Sequence, residues 1–259
     1  MTEADRPDFV LVERRDAITV LTVNRPEARN AINLATAQAI EAAIDEFEAD
    51  DAARVLVLTG AGGTFSAGMD LVAASKGEMP MTQRRGPLGI SAEPPAKPMI
   101  SAVEGFALAG GFELALSGDL IVAARDAQFG IPEVKRGLVA AGGGVLRLTQ
   151  RLPRSTAAEL ALTGGRIGAE RLYQLGLVNR VTEPGAALSA ALELAAEIAA
   201  AAPLAVAASK RIIDESPDWP VAEAFAKQGE IALPALLSKD AAEGALAFAQ
   251  KREPKWQGR

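Results

Sequence analysis

The chain of 259 residues contains no histidine and no cysteine. The missing cysteines exclude a disulfide framework and a cysteine-based zinc site. With neither imidazole nor thiolate, a transition-metal centre would rest on carboxylates alone, a donor set that suits zinc poorly. Aromatic residues make up only 4% of a chain that is 49% hydrophobic, so the core must be built mainly of Ala, Val, Leu and Ile. A chain of this length buries most of the surface its unfolded form exposes and needs no covalent staple. Positive charge is not in excess: 33 acidic and 27 basic side chains leave a net charge of −6. That balance argues against a broad nucleic-acid footprint. No apolar run is long enough to span a membrane. The polar, acidic start Met1-Thr2-Glu3-Ala4-Asp5-Arg6-Pro7 lacks the apolar region of a signal peptide. The expected location is the cytoplasm. Acid–base chemistry near neutral pH falls to carboxylates.

The first third alternates strand and helix signals. Phe9–Glu13 and Ile18–Val23 read as two strands of a hairpin turning at Arg14 to Ala17. Asn33 is placed to cap a helix from Leu34 to about Glu48, with Ala37, Ile40, Ile44 and Phe47 at helical spacing. Val55–Thr59 is a continuous apolar run, the mark of a strand buried on both faces. Gly60-Ala61-Gly62-Gly63 lacks the Lys-Ser/Thr ending of a phosphate loop and reads as a turn. Residues 71–97, rich in Pro and Gly, are expected to be mobile, with one helix at most, and to line a pocket. Buried strands follow at Pro98–Val103, Leu120–Ala124 and Ala127–Phe129. From about Arg147 the pattern turns helical: Thr156–Leu162, Ala169–Gln174, Ala187–Ala201, Leu204–Ile213, Val221–Leu233 and Ala241–Lys251, punctuated by prolines. The expected organisation is an α/β core over residues 1–200 and a helical section over 201–259.

Two glutamates stand out. Glu113 follows Gly110-Gly111 in a run from Ala109 to Ser117 that reads as a short buried helix. A carboxylate flanked by Phe112, Leu114, Ala115 and Leu116 is either paired or shifted in pKa. The glycines lie at the helix start, where free N–H groups point outward and a ligand can approach the backbone. A carbonyl oxygen gaining negative charge would be stabilised there, and one such donor is worth roughly 3–4 kcal/mol in other enzymes. Glycine pairs at helix starts also serve plain packing, and a lone glutamate is usually a solvated charge. The second carboxylate, Glu133, lies in Phe129-Gly130-Ile131-Pro132-Glu133. The segment Phe65-Ser66-Ala67-Gly68-Met69-Asp70 follows a strand and offers a second N–H donor.

In these segments and their order the chain resembles the enoyl-CoA hydratase/isomerase family, also called the crotonase family, over roughly residues 9–256. The matching motifs are Asn24-Arg25-Pro26 with Asn30-Ala31, Phe65–Asp70, Gly105–Leu114, Gln128–Glu133, Gly142-Gly143-Gly144, Leu162-Thr163-Gly164 and Gly176–Val181. The resemblance implies an α/β spiral of ββα turns with a helical C-terminal section that packs trimers, often paired into hexamers. It implies an acyl-CoA thioester substrate, with coenzyme A part of that substrate and no separate cofactor. The backbone N–H groups of Met69 and Gly110 would hold the thioester oxygen. Glu113 and Glu133 would be the two carboxylates of a hydratase, with Glu133 the base toward water and Glu113 its partner. Backbone groups of Ala67 and Met69 would meet the adenine. Phe248 and Lys251 would approach the adenine and 3′-phosphate of coenzyme A, on their own or a neighbouring subunit. Two departures stand out. Ala140-Ala141 replaces the usual Pro-Gly ahead of the glycines, at the position, Ala141, that helps place water. Met69 puts a large side chain where only the backbone is needed.

Hydration of a 2-enoyl thioester needs a base toward water, a proton for the α-carbon and donors for the enolate oxygen. A double-bond shift needs a single base, so retention of both glutamates favours a hydratase over an isomerase. Carnitinyl-CoA dehydratases keep both as well. A non-catalytic RNA-binding relative would need a basic exposed helix, whereas residues 34–51 carry Glu41, Asp45, Glu46, Glu48, Asp50 and Asp51. No nucleic-acid or membrane partner is expected.

Overall fold

The computed structural model describes residues 8–259, and the acidic stretch of residues 1–7 discussed above lies outside them. The hairpin is present as β1 (Val10–Arg15) and β2 (Ile18–Val23), turning at Asp16 with a left-handed backbone (φ 52°). Helix α1 (Leu34–Ala49) starts where Asn33 accepts the Thr36 N–H in its side chain, satisfying one of the free donors of the first turn. Then come β3 (Val55–Gly60) and the four-residue α2 (Leu71–Ala74). The middle of the chain holds β4 (Met99–Val103), β5 (Phe106–Leu108), α3 (Gly110–Leu116), β6 (Leu120–Ala124) and β7 (Gln128–Gly130). After a 3-10 turn at Pro132–Arg136 come α4 (Gly144–Arg151), α5 (Arg154–Thr163), β8 (Ile167–Gly168), α6 (Ala169–Gln174) and β9 (Arg180–Thr182). The chain ends in α7 (Ala187–Ala199), α8 (Pro203–Glu215), α9 (Ala224–Leu236) and α10 (Lys239–Gln250).

Six strands form one sheet in the order β1-β2-β3-β4-β6-β9, parallel except for the β1–β2 hairpin. A second sheet, β5-β7-β8, lies beside it. Successive turns of the chain feed both sheets: β4 leads into β5, and β6 leads into β7. A parallel bridge from Ser66 to Ala107 adds the segment after β3 to the small sheet. The result is the spiral that the family resemblance implied.

Strand alternation divides the core. Val55 and Val57 of β3, with Ile100, Ala102 and Val122, face Ala191 and Ala195 of α7. Leu56 and Leu58 face the other way, into the cluster with Ile40, Ile44 and Phe47 of α1 and Phe112 and Phe129. Both faces are covered, which explains the unbroken apolar reading of β3. No single helix among the described residues is long and apolar enough to cross a membrane.

Residues 71–97, expected to be mobile, are instead anchored. Arg85 is 1% exposed. Its Nε and one terminal nitrogen donate to Asp45 Oδ1 at 2.9 and 2.7 Å, the other terminal nitrogen donates to the Glu93 carbonyl at 2.6 Å, and its N–H donates to Glu41. Arg84 pairs with Asp45 and Glu93, and the Lys97 N–H donates to Glu48. The acidic face of α1 is thus the counter-surface of this segment.

Candidate active site

The site begins with backbone meeting backbone. Residues 66–69 pack against the start of α3 so closely that a Cβ on Gly111 would lie 2.1 Å from the Ser66 carbonyl oxygen. A Cβ on Gly68 (φ 91°) would lie 2.6 Å from the Gly110 nitrogen, and one on Gly110 would lie 3.3 Å from the Met69 nitrogen. The two expected donors are therefore neighbours. Neither the Met69 nor the Gly110 N–H donates to a group among the described residues. Ala109, just ahead, sits at φ 52°, ψ −129°, a conformation that costs a non-glycine residue about 1–3 kcal/mol. Its own N–H is tied to the Gly130 carbonyl, and its ψ sets the direction of the next N–H, that of Gly110.

The N-terminal signature braces this arrangement. Asn30, fully buried, accepts the Arg25 N–H and donates to the carbonyls of Ala61 and Thr64. Ser66 donates to the Asn30 carbonyl and accepts the Gly68 N–H. Arg25 bonds Asp70 at 3.0 Å and the Ala31 carbonyl at 2.6 Å, while Asp70 caps α2 through the Val72 and Ala73 N–H groups. Arg25 and Asn30 were matched by sequence, but their role as struts for residues 66–70 was not legible there. The Ala67 N–H donates to the Arg29 carbonyl, and the Ala67 carbonyl oxygen accepts no hydrogen bond among the described residues.

Glu113 stands on α3, 5% exposed. Its Oε1 accepts the Gly144 N–H at 2.9 Å. The turn Gly142-Gly143-Gly144 wraps it: a Cβ on Gly142 would lie 2.8 Å from Glu113 Oε2, and one on Gly144 would lie 3.0 Å from Oε1. Burial pushes the Glu113 pKa up, opposed by the Gly144 and Gly142 N–H groups and by the Arg147 charge. Glu133, half-buried in the 3-10 turn, is pushed up to about 7, first by burial and further by the charge of Glu113. Its Oε2 is buried with no hydrogen-bond partner among the described residues. The structure thus brings the two glutamates into electrostatic contact and leaves one oxygen without a partner among the described residues. Ala141 lies exposed just before the glycine turn and is not among the residues with positive φ, so alanine is accommodated there without strain.

Phe248 and Lys251 are not brought to this site within one chain. Phe248, on α10, is 87% exposed, and Lys251 caps α10 in a left-handed conformation (φ 53°). A groove lined by Leu204, Ile212, Leu236 and Trp256 runs between α8, α9 and α10 and includes neither glutamate.

Comparisons with known proteins identify the family and the fold. The family model for enoyl-CoA hydratase/isomerase matches residues 13–259. A carnitinyl-CoA dehydratase of Escherichia coli K12 is 44% identical over 255 residues, covering 95% of this chain and 97% of that protein. The crystal structure of an enoyl-CoA hydratase from Mycobacterium tuberculosis H37Rv superposes with a TM-score of 0.96 at 55% identity, covering 98% of this chain and all of that one. A carnitinyl-CoA hydratase from Mycobacterium avium superposes with a TM-score of 0.78 at 42% identity, over 98% of this chain and all of that one. The chain belongs to the enoyl-CoA hydratase/isomerase family and has the crotonase fold.

Proposed function

We propose that the protein is an enoyl-CoA hydratase, adding water syn across a 2-trans-enoyl-CoA thioester to give the 3-hydroxyacyl-CoA. The observation that carries this reading is the pairing of one buried and one half-buried carboxylate, together with two undonated N–H groups at the start of the helix that carries Glu113. The Met69 and Gly110 N–H groups take the thioester oxygen, on which negative charge grows as the enolate forms. Glu113, held by the Gly144 N–H and near Arg147, takes the proton from water as the oxygen bonds to the β-carbon. Glu133, whose raised pKa keeps its proton near neutral pH, delivers a proton to the α-carbon. A proton passing from Glu113 to Glu133 resets the pair, which titrates as a unit. These roles reverse the assignment expected from sequence: the Gly144 and Gly142 N–H groups and the Arg147 charge favour ionised Glu113, while the unpartnered oxygen and the charge of Glu113 favour Glu133 as the proton carrier. The Ala141 N–H orients the water. The Ala67 carbonyl and Met69 backbone meet the adenine, and Phe248 and Lys251 reach the nucleotide end from a neighbouring subunit of a trimer or hexamer.

The second reading is a carnitinyl-CoA dehydratase, favoured by the 44% identity to that enzyme of Escherichia coli. It uses the same carboxylates with a trimethylammonium-bearing acyl group. A panel of enoyl-CoA thioesters, crotonobetainyl-CoA included, followed by loss of the conjugated enoyl absorbance, separates them. Turnover of straight-chain thioesters well above that of crotonobetainyl-CoA supports the hydratase. The opposite order supports the second reading, and inactivity on all of them overturns both.

A further inference from the structure

Arg147, on α4, is a half-buried cation whose side-chain partners among the described residues are two carbonyl oxygens and no carboxylate: Ser91 at 2.6 Å and Gly142 at 3.3 Å. Such a charge is costly unless an opposite charge lies near. The negative charge that acts on it is Glu113. The glycine turn is shaped around the guanidinium, since a Cβ on Gly143 (φ 96°) would lie 2.2 Å from its Nη1. The same turn grips Glu113 through Gly144. Ser91 belongs to the segment locked by Arg85, so Arg147 joins three parts of the molecule at one point.

We infer that Arg147 is a positioning residue for Glu113: by tying the Gly142 carbonyl to the Ser91 carbonyl, it holds the glycine turn whose N–H groups fix that carboxylate, and it supplies the charge that balances it. The inference rests on the hydratase reading for its kinetic consequences, but not for its structural ones. The charged groups around Glu113 are Glu133 from the 3-10 turn and Arg147 from α4. Arg136 acts on Glu133, and Arg151 lies within reach of Arg147. Strands β4 and β5, packed on α3, carry no charged side chain. Arg147 favours the ionised form of Glu113, so removing it raises the pH at which that carboxylate ionises.

The test compares Arg147→Met and Arg147→Lys with the unaltered protein. For Arg147→Met, kcat should fall at least about 10-fold with KM within about twofold. The acidic limb of kcat/KM should move to higher pH. Arg147→Lys keeps the charge but cannot span both carbonyls, so the limb should stay in place while kcat remains low. Infrared titration of the buried carboxyl band, assigned with Glu113→Gln, reads the same shift without turnover. If Arg147→Met does not fold, the Arg147→Lys profile and titration carry the test. Unchanged kcat and an unmoved band in either soluble variant that the inference expects to respond would overturn it. An unaltered protein inactive on every thioester, with the band still shifting in Arg147→Met, would sink the hydratase reading and leave Arg147's role standing.

Discussion

Gly68 and Gly110 meet so closely that a Cβ on the first would lie 2.6 Å from the amide nitrogen of the second. That contact sets the Met69 and Gly110 N–H groups side by side, and it makes their spacing testable. Gly110 does not have a positive φ, so alanine is sterically possible in its backbone, and alanine is the better helix former. Its methyl would press on Leu88 at 3.2 Å and on the Met69 nitrogen at 3.3 Å, in the space assigned to the thioester oxygen. Gly110→Ala should lower kcat by about 10²-fold or more while the melting temperature changes by only a few degrees. Steady-state kinetics with calorimetry checks both. A near-native kcat would remove Gly110 from the oxyanion site.

Arg85 should matter to stability out of proportion to a surface arginine. Its removal strands the Glu93 carbonyl and leaves a void beneath residues 80–91. Arg85→Ala should cost about 2–4 kcal/mol, through lost charge-assisted hydrogen bonds and the cavity. It should also open residues 76–97 to limited proteolysis. Urea unfolding that gives a loss below about 0.5 kcal/mol, typical of surface changes, would contradict the anchoring.

How far the sequence carried this reading varies from place to place. Asn33 as a cap, the period of α1 and the Gly-Gly start of α3 are local signals, and each held to within a residue or two. β5, β8 and β9 were missed because strands of two or three residues form only through pairing, β5 and β8 with β7 and β9 with β6. Helix α4 was not named as an element, the helical pattern being read only from about Arg147, since its start at Gly144 is hidden behind glycines that suggest a turn. Arg84-Arg85 gave no signal, because the partner of Arg85 lies 40 residues away on α1. Arg147 gave no signal beyond an arginine set between Leu146 and Leu148. Both glutamates were visible as carboxylates in apolar, glycine-framed company, but their electrostatic coupling required the fold.

The C-terminal helices predict self-association. Val221, Phe225, Leu237 and Phe248 are between 77% and 94% exposed in the single chain, an apolar surface that association would cover. Closed symmetry is the common solution, and the family resemblance sets the number at three or six. Light scattering at micromolar concentration should give a trimer or hexamer mass. A monomer mass would remove any role for a neighbouring subunit's Phe248 or Lys251.

Glu133 makes stability depend on pH in a definite direction. Its pKa of about 7 when folded lies above the roughly 4.3 of an unfolded glutamate. Between those values the folded state holds a proton that the unfolded chain has lost, so stability falls as pH rises through the window and stays lower above it. Glu133→Gln removes the effect. Its gain in stability should be small at pH 5 and larger at pH 8, with an upper bound of roughly 4 kcal/mol, and its gain in melting temperature should follow the same order. A gain that is equal at both pH values, or larger at pH 5, would contradict the raised pKa.

The most direct test of the central claim is hydration of a 2-trans-enoyl-CoA by the unaltered protein, Glu113→Gln, Glu133→Gln and the double variant, followed by loss of the enoyl absorbance. The two carboxylates acting as a pair predict that each single change lowers kcat by at least about 10²-fold. The double variant should lose far less than the product of the two single losses. Near-native hydration by Glu133→Gln would contradict the paired mechanism and favour a single-base isomerase.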